Sequence, residues 1–298
     1  MFKNLIVYRL SQVWVPDLLA LDERLQAQRF VPLGASQEKS MGWVEPRGHA
    51  HGALVESVAG QWILRFKRES RTVPAAVVQR EVQARVQQIE SSTGRRPGRQ
   101  EIRNLKDDVR LELLPKAFPK ETRVWVWLDP QARWLVVDAS SQSLADEVMA
   151  LLLQASPDLA PALIQSQQSP AAAMAQWLIS QEPPGGFSLD RECELKANDE
   201  TKAVVRYARH RLDIDEVQQH IRAGKVPTRL ALGWDDRVSF VLTEGLQLKK
   251  LAFLDGVFED GSRPKSDDFD ADVALSTGEL QRLLPELLAA LGGEQPSA

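Results

Sequence analysis

The chain has 298 residues, 43% of them apolar, which is enough to bury a sizeable core and excludes disorder as the default; the length suits one large domain or two to three smaller ones. A single cysteine, Cys193, excludes an intramolecular disulfide, the first residues lack the apolar run and cleavage site of a secretory signal, and no stretch approaches the roughly 18 to 20 apolar residues of a membrane helix. The composition therefore predicts a cytoplasmic protein with no membrane role.

A strand is predicted over residues 5–10, followed by a helix from Pro16-Asp17 with Leu18, Leu19, Leu21 and Leu25 as its buried stripe. Residues 62–67 alternate apolar and basic side chains as a strand would, and Thr72 and Pro74 then mark a helix start, with Thr72 as the cap. Apolar positions recur at Val78, Val82, Val86 and Ile89, break at Thr93-Gly94 and Pro97-Gly98, and resume at Ile102, Leu105, Val109 and Leu113. This predicts a projecting helical hairpin that ends at Pro115 and carries Arg95, Arg96 and Arg99 in its turn. Strands over 122–129 and 133–138 should pair through the turn at Pro130. Helices are expected over 140–154 and 171–180, a connection over 156–170 and a boundary at Pro183-Pro184-Gly185-Gly186. A strand over 202–209, a helix over 213–223 closed by Gly224, a meander over 229–233, 237–243 and 246–253, and a final helix over 277–291 complete an α+β pattern of antiparallel sheets.

The net charge of −4 conceals an uneven distribution. Residues 61–123 hold 15 basic and eight acidic side chains, a local +7 that leaves −11 for the rest, and from Asp255 onward acidic residues dominate. Arg206, Arg209, Arg211, Arg222, Lys225 and Arg229 form a second basic group. Two such groups suit a concave site for polyanions; the plain alternative is a solvated surface whose arginines pair with Glu81, Glu90, Glu101 and Asp107. No glycine pair is followed by the Lys-Ser/Thr of a phosphate loop, which disfavours ATP-driven activity. His49 and His51 lack further ligands at a metal-binding spacing. Asp267, Asp268, Asp270 and Asp272 read as a solvated acidic turn, with a magnesium-dependent nuclease as the sharper alternative. Cys193, between Glu192 and Glu194, should have a raised pKa and be a poor nucleophile. Trp125 and Trp127 share a strand face, where core packing outweighs base stacking.

Words spread along the chain carry a resemblance. They include Phe2-Lys3-Asn4-Leu5, Met41-Gly42-Trp43-Val44, Leu113-Leu114-Pro115 with Ala117-Phe118, Ala223-Gly224-Lys225-Val226, Phe269-Asp270-Ala271-Asp272 and Thr277-Gly278-Glu279-Leu280. In their order and spacing the sequence resembles the RdgC recombination-associated proteins. The resemblance implies a protomer with centre (1–73 and 122–182), helical base (74–121) and tip (183–254) regions, followed by an acidic loop and C-terminal helix (255–298). It further implies a homodimeric ring around double-stranded DNA, with single-stranded DNA as a second form, binding without sequence preference. Such a protein is nucleoid-associated and restrains the RecA recombinase by occupying DNA, with no enzyme activity and no cofactor. By the same resemblance Phe118 matches an aromatic at the dimer contact, although a core contact suits it equally. Arg209 and His210 match a tip position implicated in DNA binding, and Arg211 and Lys116 are secondary candidates beside Arg95, Arg96 and Arg99. The rival readings are a metal-dependent nuclease and a scaffold that meets recombinase directly with incidental DNA affinity.

Overall fold

Alternation of apolar and polar side chains takes some segments of the chain into strands, and 3.6-residue periodicity takes others into helices. The computed structural model describes residues 1–254, 257 and 268–296. In chain order the elements are β1 (Leu5–Arg9), α1 (Leu18–Gln26), β2 (Lys39–Val44), β3 (Val55–Val58), β4 (Gln61–Ser70), α2 (Ala75–Thr93) and α3 (Arg99–Leu113). Next come β5 (Lys120–Asp129), β6 (Trp134–Asp138), α4 (Gln142–Ala155), β7 (Ala162–Leu163), α5 (Pro170–Ser180), β8 (Phe187–Ala197) and β9 (Val204–Ala208). The last are α6 (Asp215–Arg222), β10 (Lys225–Trp234), β11 (Val238–Thr243), β12 (Leu248–Phe253) and α7 (Phe269–Ala290). The fold is thus α+β, with a large antiparallel sheet and seven α-helices among the described residues. None of these helices is long and apolar enough to cross a membrane.

The chain divides into two units, one of Met1–Leu25, Glu45–Arg65 and Val124–Ala298 and the other of Gln26–Val44 and Phe66–Arg123. Strands β4 and β5 each contribute residues to both. In the larger unit the strand order is β4-β5-β6-β1-β12-β11-β10-β8-β9, with β3 on β4 and β7 on β1. One face of β8–β12 presents Cys193, Leu195, Leu230, Leu232, Trp234, Phe240, Leu242 and Leu248 to a core that also takes Met174 and Trp177 from α5 and Leu280, Leu283, Leu284 and Leu287 from α7. Because successive strand residues point to opposite faces, Glu192, Glu194, Arg206, Arg229 and Lys249 fall on the other face. In the smaller unit α2 and α3 bury Val78, Val82 and Val109 against each other, flanked by Val86, Ile102 and Leu113. Gly94 ends α2 at φ 69°, and its N–H bonds to the Glu90 carbonyl at 2.9 Å, a left-handed cap that suits glycine.

Several expectations give way. Thr72 does not cap α2: the cap position is Pro74, with no side-chain cap bond, because Pro74 takes extended ψ at a fixed φ and its carbonyl accepts the first helical N–H groups. Helix α7 begins at Phe269, eight residues before the expected Thr277, and the supposed acidic turn forms its start. Asp268 caps it by accepting the Ala271 N–H at 3.1 Å, and Asp270 and Asp272 fall in the first turn, where carboxylates suit the positive end of the helix dipole. Asp267 lies outside the described residues, as does most of the acidic segment that begins at Asp255. Strands β2, β3, β7 and β8 were not anticipated.

Candidate nucleic-acid interface

In the larger unit the expected tip residues lie in the loop that leaves β9 for α6. Arg209 holds a left-handed φ of 56°, and its exposed side chain borders a cleft of about 390 Å³ shared with Asp190, Arg191, Glu192, Ala231 and Lys250. The His210 N–H bonds to the Arg191 carbonyl at 3.0 Å, tying the loop to β8. His210 Nδ1 lies 2.8 Å from the Arg211 carbonyl, which can only accept, so Nδ1 carries the proton. The ring sits against Tyr207, with centroids 5.8 Å apart. Arg211 is exposed and bonded to Asp213, 3.0 Å from its Nε, and each partner reinforces the charged form of the other.

Charge in this region is partly cancelled. Lys250 Nζ meets Glu192 at 2.6 Å, and Arg206 Nε meets Glu194 at 2.6 Å. The Glu194 carboxyl stays below its usual range, chiefly through the Thr228 hydroxyl and then Arg206. Arg209 and Arg191 have no hydrogen-bond or ion partner for their guanidinium groups among the described residues, so they carry the uncompensated charge. Arg191 escaped sequence reading because Asp190 and Glu192 flank it, and Lys250 because nothing in the sequence links it to the Arg209 loop.

In the smaller unit the link between α2 and α3 exposes Arg95 and Arg96, whereas Arg99, expected in the same turn, is the first residue of α3. Arg95 bonds to Glu101 at 3.0 Å, whereas Arg96 and Arg99 are exposed without an ion partner among the described residues. Elsewhere Arg85 joins Glu112 and Glu81, Arg110 joins Glu38, and Lys67 is held at 3.0 Å by Glu69 and 2.9 Å by Glu121. The basic alternation in β4 is therefore not a free cationic face: Lys67 is committed to carboxylates, and in the larger unit Arg65 stacks on Trp125 at 4.4 Å. After α3 a short turn buries Leu114 and leaves Lys116 exposed, close enough to Glu112 to lower that carboxyl's pKa after the larger effect of Arg85. Phe118 is 95% exposed, so the core contact considered for it is absent. An aromatic left in solvent by its own chain loses the stabilisation that burial would give it.

The remaining chemistry-bearing residues have structural roles. Seven of the eight tryptophans are buried and Trp125 is half-buried against Phe269 and Arg65, which leaves no exposed indole as a stacking platform. Burial pushes the Cys193 thiol up to about 12, and the neighbouring carboxylates expected to do so point to the opposite sheet face. Asp270 is engaged by Arg47 at 2.6 Å. His49 and His51 are exposed, and no group of three potential metal ligands occurs among the described residues.

Comparison with known proteins places these surfaces in context. A family model described as "Putative exonuclease, RdgC" matches residues 1–294. A relative from Dechloromonas aromatica is 46% identical over 299 residues, covering 98% of each chain. One from Herminiimonas arsenicoxydans is 44% identical over 297 residues, with 99% of this chain and 98% of the relative covered. One from Bordetella pertussis is 43% identical over 301 residues, covering 99% of each. All three bear the name recombination-associated protein RdgC.

Proposed function

The chain belongs to the RdgC family, and from that premise we propose that it is a non-enzymatic protein that binds duplex DNA through the phosphate backbone and limits access of the RecA recombinase. In this reading two protomers close a ring around DNA in the nucleoid, the α2–α3 hairpin supplies the base contact, and the loop at Arg209–Arg211 supplies the tip. The observation that carries it is the survival of uncompensated cations at both expected places, Arg209 and Arg191 in one unit and Arg96 and Arg99 in the other, in a chain of net charge −4. Backbone phosphates are the same in every sequence, so contacts of this kind give affinity without preference. The fully exposed ring of Phe118 supports the dimer, because a large apolar side chain is the usual anchor of a protein interface.

The description attached to the family model favours a second reading, an exonuclease. Against it stand the roles of the acidic residues, since Asp268 caps α7 and Asp270 is paired with Arg47, and no group of three potential metal ligands occurs among the described residues. Incubating the purified protein with linear and supercoiled DNA in magnesium separates the two. Retarded but intact DNA is the expected result, and shortened strands would establish the nuclease.

A further inference from the structure

On the charged face of β10–β12 two cations flank β11. Arg229 of β10 stands opposite Thr243, and Lys249 of β12 stands opposite Val241. Val241 and Thr243 are two residues apart on one strand and so share a face, which brings Arg229 and Lys249 to the same side of the sheet. Arg229 is exposed; Lys249 is half-buried and anchored by one bond from Nζ to the Ser140 carbonyl at 2.9 Å. That bond uses one of three ammonium donors and leaves the others to point elsewhere.

The acids that face this pair are committed to other partners. Glu194, which feels Arg229, accepts from Thr228 at 2.7 Å and from Arg206 at 2.6 Å. Asp138, which feels Lys249, accepts backbone N–H groups of Lys3 at 3.0 Å and Asn4 at 2.6 Å. Neither cation forms a salt bridge among the described residues, and burial, then repulsion from Arg229, pushes the Lys249 ammonium below its ordinary pKa. Two like charges on one face, with the nearby acids bonded to other groups, favour the approach of an anion.

We propose that Arg229 and Lys249 form a clamp for a backbone phosphate of the bound nucleic acid, extending the contact surface from the Arg209 loop across the charged face of β10–β12. The proposal rests on the DNA-binding reading above and adds a site to it. A planar guanidinium and a compact ammonium approaching one phosphate from two strands would fix its position without reading bases.

The test is the salt dependence of duplex binding by the full-length protein and by a variant carrying Arg229→Gln and Lys249→Gln, beside one carrying Arg229→Lys and Lys249→Arg. The neutral variant should bind at least about 10- to 100-fold more weakly at fixed salt, with a log–log salt slope shallower by about one for each clamp in contact, or about two for a dimer that engages both. The charge-keeping variant should retain most of the slope. Near-UV circular dichroism of both variants reports whether the sheet is intact. Binding by the parent together with an unchanged slope in a folded neutral variant overturns the clamp alone; no binding by the parent overturns the DNA-binding reading and the clamp with it.

Discussion

Arg209 and Arg211 stand two apart in one loop, and their surroundings give them different capacities. Arg211 already has Asp213 as a bidentate partner, so a phosphate must compete with that carboxylate. Arg209 borders an open cleft with no partner among the described residues and can meet a phosphate without giving up a native bond. Exposed ion pairs contribute about 0 to 1 kcal/mol, so exchanging the Asp213 contact for a phosphate costs little. Replacing both arginines by glutamate should therefore weaken duplex binding by a similar factor on DNA of unrelated sequences, measured by fluorescence anisotropy. Loss confined to one sequence would mean that these residues read bases. The roles expected of Arg209 and Phe118 came from family resemblance, since composition left both open. What sequence could not supply is which cations are already spoken for: Lys67, Arg85, Arg110 and Arg206 look as basic in the sequence as Arg96 and Arg99, yet fold into contact with carboxylates distant in the chain or across a strand.

At the scale of elements, legibility followed the regularity of the pattern. Helices α2 and α3 were readable because Val78, Val82 and Val86 in the first and Ile102, Val109 and Leu113 in the second each keep a helical spacing, and β5, β6, β11 and β12 because their apolar runs are bounded by turns. Strand β8 was missed although it spans 11 residues: only alternate positions such as Cys193 and Leu195 reach the core, and the intervening Asp190, Glu192 and Glu194 are weak strand formers that suggest a loop. The first two turns of α7 were missed because their acidic residues read as a loop, whereas the cap at Asp268 starts the helix there. Strand β2 holds a further constraint. A β-carbon at Gly42 would lie 2.5 Å from the Phe30 Cα, 2.6 Å from its N and 2.8 Å from the Gln28 carbonyl oxygen, all of them backbone atoms. Gly42→Ala should thus force the chain at Phe30 away from β2 and cost about 1 to 3 kcal/mol. Thermal or chemical denaturation checks this, and an unchanged midpoint would show that the two segments move apart freely.

For the whole molecule the central claim is electrostatic. A protein of net charge −4 can bind a polyanion only if its cations are segregated from its acids, and segregation within each unit is partial: many basic residues are neutralised, while Arg96, Arg99, Arg191, Arg209, Arg229 and Lys249 are some of those left without salt bridges among the described residues. Six such residues per protomer, doubled by a dimer, would supply the contacts for six to ten phosphates without any contribution from the cations already paired. The direct measurement is the duplex dissociation constant from 50 to 200 mM salt, taken on two DNAs of unrelated sequence. Neutralisation of about six to ten phosphates predicts a loss of affinity of roughly three to five orders of magnitude, alike for both DNAs. Affinity that ignores salt, or that differs sharply between the two sequences, would contradict a backbone-gripping protein.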